Sequence, residues 1–124
     1  MLGHLTFAQF GGSVPLCPHH SMFVTHHGNP NSFLSNIVVV DDMIYLSGVL
    51  GDGDTVQDQT RDIMETIKAN LATVGATMDN VVKCTVYMAD LSQRPQLNEV
   101  YRSYFPNTKP ARSAVGVDLG GPLV

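Results

Sequence analysis

The chain has 124 residues, 44% hydrophobic and 15% charged, with no tryptophan and a formal net charge of −4. That is the length and composition of one globular domain, which buries roughly two-thirds of its unfolded surface and needs no staples to form a core. The acid excess and the absence of any basic run argue against a nucleic-acid-binding protein, and the longest apolar run, Ile37–Val40, is far too short to cross a bilayer.

Residues 1–21 hold no sustained helical or strand period and are punctuated by glycine and proline, so they are expected to form an N-terminal extension to a domain spanning 22–124. No basic segment followed by an apolar one opens the chain, and two cysteines, Cys17 and Cys84, make no disulfide framework. A reducing, cytoplasmic setting is expected. The five histidines, His4, His19, His20, His26 and His27, all precede residue 28. Doublets in a loose segment lack the rigid frame a metal needs, so no metal site is expected.

From there the pattern sharpens. Residues 21–26 read as a short strand, and 36–48 as a hairpin of β-branched and aromatic runs divided by Asp41-Asp42. Thr55 and Asp58 have the spacing of a helix-capping pair. The helix behind them aligns Ile63, Ile67, Leu71 and Val74 in one stripe and ends at Gly75. Residues 80–88 form the next strand, with Val82, Cys84, Val86 and Met88 on one face. A second helix starts near Ser92, tolerates Pro95 in its first turn and stops at Pro106, with Leu97, Val100, Tyr101, Tyr104 and Phe105 along its apolar side. Residues 111–117 form the last strand, with Arg112, Ala114 and Gly116 on one face. Two helices on one face of a mixed, mainly antiparallel sheet make an α+β domain.

Few residues stand out chemically. Arg112 opens a strand face otherwise built of small residues. Its guanidinium fork suits a carboxylate, and equally a surface or inter-subunit ion pair. Ser47-Gly48 closes a hairpin strand, where glycine either brings a backbone N–H close to a ligand or serves a bulge. Asn98 reads as a helix-surface amide or a local cap, and Tyr101 as a core residue. No histidine follows residue 27, so Ser/His/Asp and Cys/His machinery has no base in the rest of the chain, and no phosphate-binding glycine motif appears. An enzyme made of these parts captures a carboxylate and positions water.

Four blocks together resemble the RidA (YjgF) family of enamine/imine deaminases: "MIYLSG" (43–48), "LATVGATMDNVVKCTVYMADL" (71–91), "LNEVYRSYF" (97–105) and "PARSAV" (110–115). The similarity spans roughly 34–124. It implies a chorismate-mutase-like α+β subunit assembled as a homotrimer, with ligand clefts between subunits. It also implies hydrolysis of 2-imino acids to 2-oxo acids and ammonia without a metal or organic cofactor. By the same resemblance Arg112 holds the substrate carboxylate, while Ser47, Gly48, Asn98 and Ala114 belong to the substrate-binding cleft. Ala114 stands where the family commonly has cysteine. Leu34 replaces the usual cleft tyrosine, and Val49 a frequent glutamine.

The resemblance further implies a last strand with an apolar-Glu-apolar-Glu pattern that supplies a water-handling glutamate. The domain 22–124 is expected to lack that strand, and no residue here is assigned the glutamate's task. A non-catalytic carboxylate-binding trimer is therefore the alternative function. Endoribonuclease or translation-inhibitor activity, a label also attached to this family, fits poorly with the acidic charge.

Overall fold

A computed structural model describes residues 2–7 and 23–120, the first six through their backbone alone. Cys17, His19, His20 and the first residues of the expected strand at 21–26 lie outside the described residues. The strands are β1 (Leu2–Phe7), β2 (Val24–His27), β3 (Ile37–Val40), β4 (Met43–Leu50), β5 (Val81–Met88) and β6 (Ala111–Gly116). The helices are α1 (Val56–Thr73) and α2 (Arg94–Tyr101). One six-stranded sheet has the order β2-β3-β4-β1-β5-β6, antiparallel throughout except for the parallel pair β5–β6. This is the expected α+β arrangement.

The local signals explain the element ends. Asp41 takes a φ of 50° in the tight turn between β3 and β4, a left-handed conformation that aspartate tolerates better than most residues. The Thr55 hydroxyl accepts from the Asp58 N–H at 3.1 Å and donates to its carboxylate at 2.8 Å, capping α1. At the other end Gly75 sits at φ 76°. The Ala76 and Gly75 N–H groups donate to the Leu71 and Ala72 carbonyls, which satisfies two carbonyls that the helix leaves open. The helix α2 is entered through a 3₁₀ turn at Leu91–Gln93, capped by the Asp90 side chain, and leaves through another at Arg102–Tyr104.

Both helices cover one sheet face. Ile63, Met64, Ile67 and Leu71 of α1 and Leu97 of α2 pack on Ile37, Ile44, Leu46, Cys84, Val86 and Met88, with Phe105 closing one end. Burying each such aliphatic side chain contributes about 1.5–3 kcal/mol, which outweighs any propensity difference along the chain. Among the described residues the opposite face carries no helix. It leaves Tyr45 and Val115 about 40% exposed, since they alternate with the buried Ile44 and Leu46 and the core-packed Ala114.

Two expectations are corrected. Leu2–Phe7 do not stand outside the domain: they form a central strand hydrogen-bonded to β4 on one side and β5 on the other. Gly3 and His4 spoil its alternation in sequence, and its strand state comes from its two pairing partners rather than from propensity. Val82 does not face the core. Thr6 pairs with Lys83 and Phe7 with Val81, so Val82 is an extra, unopposed residue. That bulge turns Val82 out, 40% exposed, and buries Val81 in its stead.

Candidate carboxylate site

The edge strand β6 runs parallel to β5 in a register that sets Arg112 beside Cys84, on the helix-covered face. Cys84 is buried there, so the Arg112 side chain passes over the core's rim toward α2. Two residues one helical step apart receive it. Arg112 Nη1 donates to Asn98 Oδ1 at 2.7 Å, and its Cζ stands 4.7 Å from the centroid of the Tyr101 ring. The i, i+3 spacing of Asn98 and Tyr101 places both on one helix face, and the Tyr101 ring is held in turn by Phe105 at 4.9 Å between centroids. The guanidinium is therefore fixed by an amide and an aromatic face, and among the described residues its other N–H donors have no partner.

These groups line a cavity of about 480 Å³, within the size range of small-molecule sites. Asn98, Tyr101, Phe105 and Pro110 form its wall, and Arg102, Lys109 and Arg112 supply three cations. Among the described residues no carboxylate lines it. Glu99 follows Asn98 on the helix without reaching the cavity, and the Asp118 carboxylate is engaged by the Gly120 N–H at 2.9 Å.

Burial governs the titrating groups behind the arginine. It pushes the Cys84 thiol from 9.0 up to about 11, against smaller lowering effects from Tyr101 and Arg112. Burial also drives the Tyr101 hydroxyl far above its usual range, with the Cys84 thiol as the next cause. That hydroxyl is buried without a well-formed hydrogen bond among the described residues, since the neighbouring thiol is a poor partner. A buried neutral thiol is no nucleophile at ordinary pH.

The remaining candidates lie elsewhere. Ser47 and Gly48 sit on β4, three strand spacings from β6, or about 14 Å. They form a bulge of their own: Gly3 pairs with Val49 and Leu5 with Leu46, so both stand opposite His4. Ser47 Oγ donates to the Ser35 carbonyl at 2.6 Å and its N–H to the Asn36 carbonyl at 3.0 Å, tying β4 to the segment before β3. Ala114 packs against the core and does not line the cavity. One copy of the chain thus joins Arg112 to Asn98 and leaves Ser47, Gly48 and Ala114 out.

Three participants were not anticipated. Tyr101 reads as core because it lies on the apolar stripe, and it does pack there, yet its ring is the arginine's platform. Arg102 and Lys109 carry one faint signal, namely three cations between residues 102 and 112 of an acidic chain.

Residues 25–122 match the family model described as Endoribonuclease L-PSP. A RutC family protein of Pyrococcus horikoshii is 45% identical over 71 residues, which cover 57% of this chain and 56% of that protein. Reactive Intermediate Deaminase A, chloroplastic, of Arabidopsis thaliana is 35% identical over 91 residues, 67% of this chain and 49% of that one. The chain thus spans about half the length of these two relatives. A crystal structure of a YjgF-family member from Neisseria meningitidis superposes with a TM-score of 0.75 at 27% identity, over 83% of this chain and 87% of that one.

Proposed function

The chain belongs to the Endoribonuclease L-PSP family, which takes in RidA and YjgF proteins, and we propose on that footing that it hydrolyses 2-imino acids, with their enamine tautomers, to 2-oxo acids and ammonia. The observation that carries this reading is the posture of Arg112. Its guanidinium is held by Asn98 and Tyr101 at the mouth of a cavity, with donors to spare for a substrate carboxylate.

The chemistry asks little more of the protein. An imine carbon next to a carboxylate is already electrophilic, so fixing the carboxylate and admitting one water supplies proximity and orientation. The water oxygen adds to the imine carbon while a proton passes to nitrogen. The C–N bond of the resulting carbinolamine then breaks, the hydroxyl proton goes to the departing nitrogen, and ammonia and the 2-oxo acid are released.

In this reading the working unit is a homotrimer. Ser47 and Gly48 of one copy complete the cleft at Arg112 of another, which accounts for their separation within a single chain. The bare sheet face, with Tyr45 and Val115 part-exposed, is the apolar surface such an assembly covers. We place the activity in the cytoplasm, although the Arabidopsis relative is named as chloroplastic.

A second reading, a carboxylate-binding trimer without turnover, is favoured by one observation: among the described residues no carboxylate lines the cavity to take a proton from water. An amino-acid oxidase that generates 2-iminopropanoate in situ separates the two. Deaminase activity hastens imine loss and ammonia release above the spontaneous rate, whereas the binding reading leaves both unchanged.

A further inference from the structure

The protein carries eleven acidic and seven basic side chains, yet three of those seven cations line the Arg112 cavity. Among the described residues none of the three is ion-paired: the ion pair found there is Arg61 with Asp58, on α1. Glu99, three residues before Arg102 on the same helical stretch, makes no ion pair with it. Half-buried Arg112 sits at one end, held by Asn98, while exposed Lys109 and Arg102 stand at the rim. The chain between Lys109 and Arg112 separates their Cα atoms by at most about 11 Å, and the long lysine side chain shortens the span between charges. Tyr101, Phe105 and Pro110 form low-polarity walls between the cations, and such walls focus the field of like charges into a cleft.

One carboxylate needs one guanidinium. Two further unpaired cations facing the same cavity are a repulsive arrangement unless a second anion enters. Resting on the reading of the site given above, we propose that the preferred ligand is a short dicarboxylate, such as the 2-imino acid derived from aspartate or glutamate. Arg112 takes the carboxylate beside the imine, and Lys109 with Arg102 takes the distal one. Lys109 and Arg102 are then specificity-determining residues, and exposed cations of this kind set selectivity more than total affinity.

The test uses 2-oxo acids as probes, with oxaloacetate prepared fresh because it decarboxylates to pyruvate. Calorimetry on the full chain compares oxaloacetate and 2-oxoglutarate with pyruvate, in the unaltered protein, in the double variant Arg102→Gln/Lys109→Gln and in Arg112→Ala. Both glutamine positions are exposed, and circular dichroism with melting curves verifies that the variants fold. The expected result is a dicarboxylate bound roughly 2- to 25-fold more tightly than pyruvate at low salt, because each of the two exposed pairs contributes about 1.5- to 5-fold. That ratio falls toward one in the double variant, and also at high salt in the unaltered protein. A ratio near one in the unaltered protein, with pyruvate binding still dependent on Arg112, overturns this inference and leaves the site reading standing. Binding of both probes that survives Arg112→Ala overturns the site reading and this inference with it.

Discussion

The Arg112 guanidinium stands 4.7 Å from the centre of the Tyr101 ring, and the hydroxyl of that ring is buried without a well-formed hydrogen bond among the described residues. The ring and the hydroxyl thus have separable consequences. Tyr101→Phe keeps the platform and removes an unsatisfied polar atom, so it is expected to leave carboxylate affinity unchanged and raise stability by about 1 kcal/mol. Tyr101→Ala removes the platform and weakens carboxylate binding by about 0.5–2 kcal/mol, beyond the stability lost from the core. Urea titration and calorimetry on both variants check this. Equal affinity losses in Phe and Ala would deny the ring its role.

Asn98 fixes the other side of the same group through its 2.7 Å contact. Asn98→Asp turns that contact into an ion pair that competes with the ligand for the guanidinium, so affinity for pyruvate falls further than in Asn98→Ala. Asn98→Ala is expected to cost about 0.5–1.5 kcal/mol of binding, because the guanidinium loses its fixed position and must be ordered when the ligand binds. Calorimetry of the two variants decides the order.

Cys84 gives the fold an alkaline limit. Its folded pKa of about 11 lies above the ordinary 9.0, so the folded state holds the proton more tightly than the unfolded chain does. The corresponding stability is fully present below pH 9, declines as pH rises, and is lost through pH 11. For this buried group it amounts to about 2–3 kcal/mol. Urea midpoints measured between pH 8 and 11 should fall for the unaltered chain and fall less for Cys84→Ala. At pH 8 a thiol reagent should leave native Cys84 unmodified in a Cys17→Ser background.

Gly75 tests the helix end. At φ 76° an added Cβ meets no atom within 4 Å, so Gly75→Ala has only a backbone cost, about 1–2 kcal/mol. Thermal melting checks it, and Thr55→Ala at the opposite end of α1 should cost about 1 kcal/mol through the lost cap.

Features with a local cause were legible in the sequence. Thr55 with Asp58, Gly75, and the stripe Ile63, Ile67, Leu71 each encode their conformation within a few residues, and each lies where its pattern points. Val82 and Leu2–Phe7 were not legible, because a bulge and a six-residue central strand are set by pairing across the sheet. Of the site, Arg112 and Asn98 declare themselves by residue type and family resemblance. The closeness of that pair, the double duty of Tyr101 and the convergence of Arg102 and Lys109 depend on how α2 lies against β6, which no local pattern records. The role proposed for Ser47 and Gly48 is further removed still, since it would depend on a second copy of the chain.

The most direct test of the account follows imine loss, with 2-iminopropanoate generated in situ, for the unaltered chain, Arg112→Ala and Arg112→Lys. The account predicts acceleration by the unaltered chain, none by Arg112→Ala, and only partial recovery by Arg112→Lys, because an ammonium carries the charge without the bidentate fork. Acceleration that persists in Arg112→Ala would contradict it.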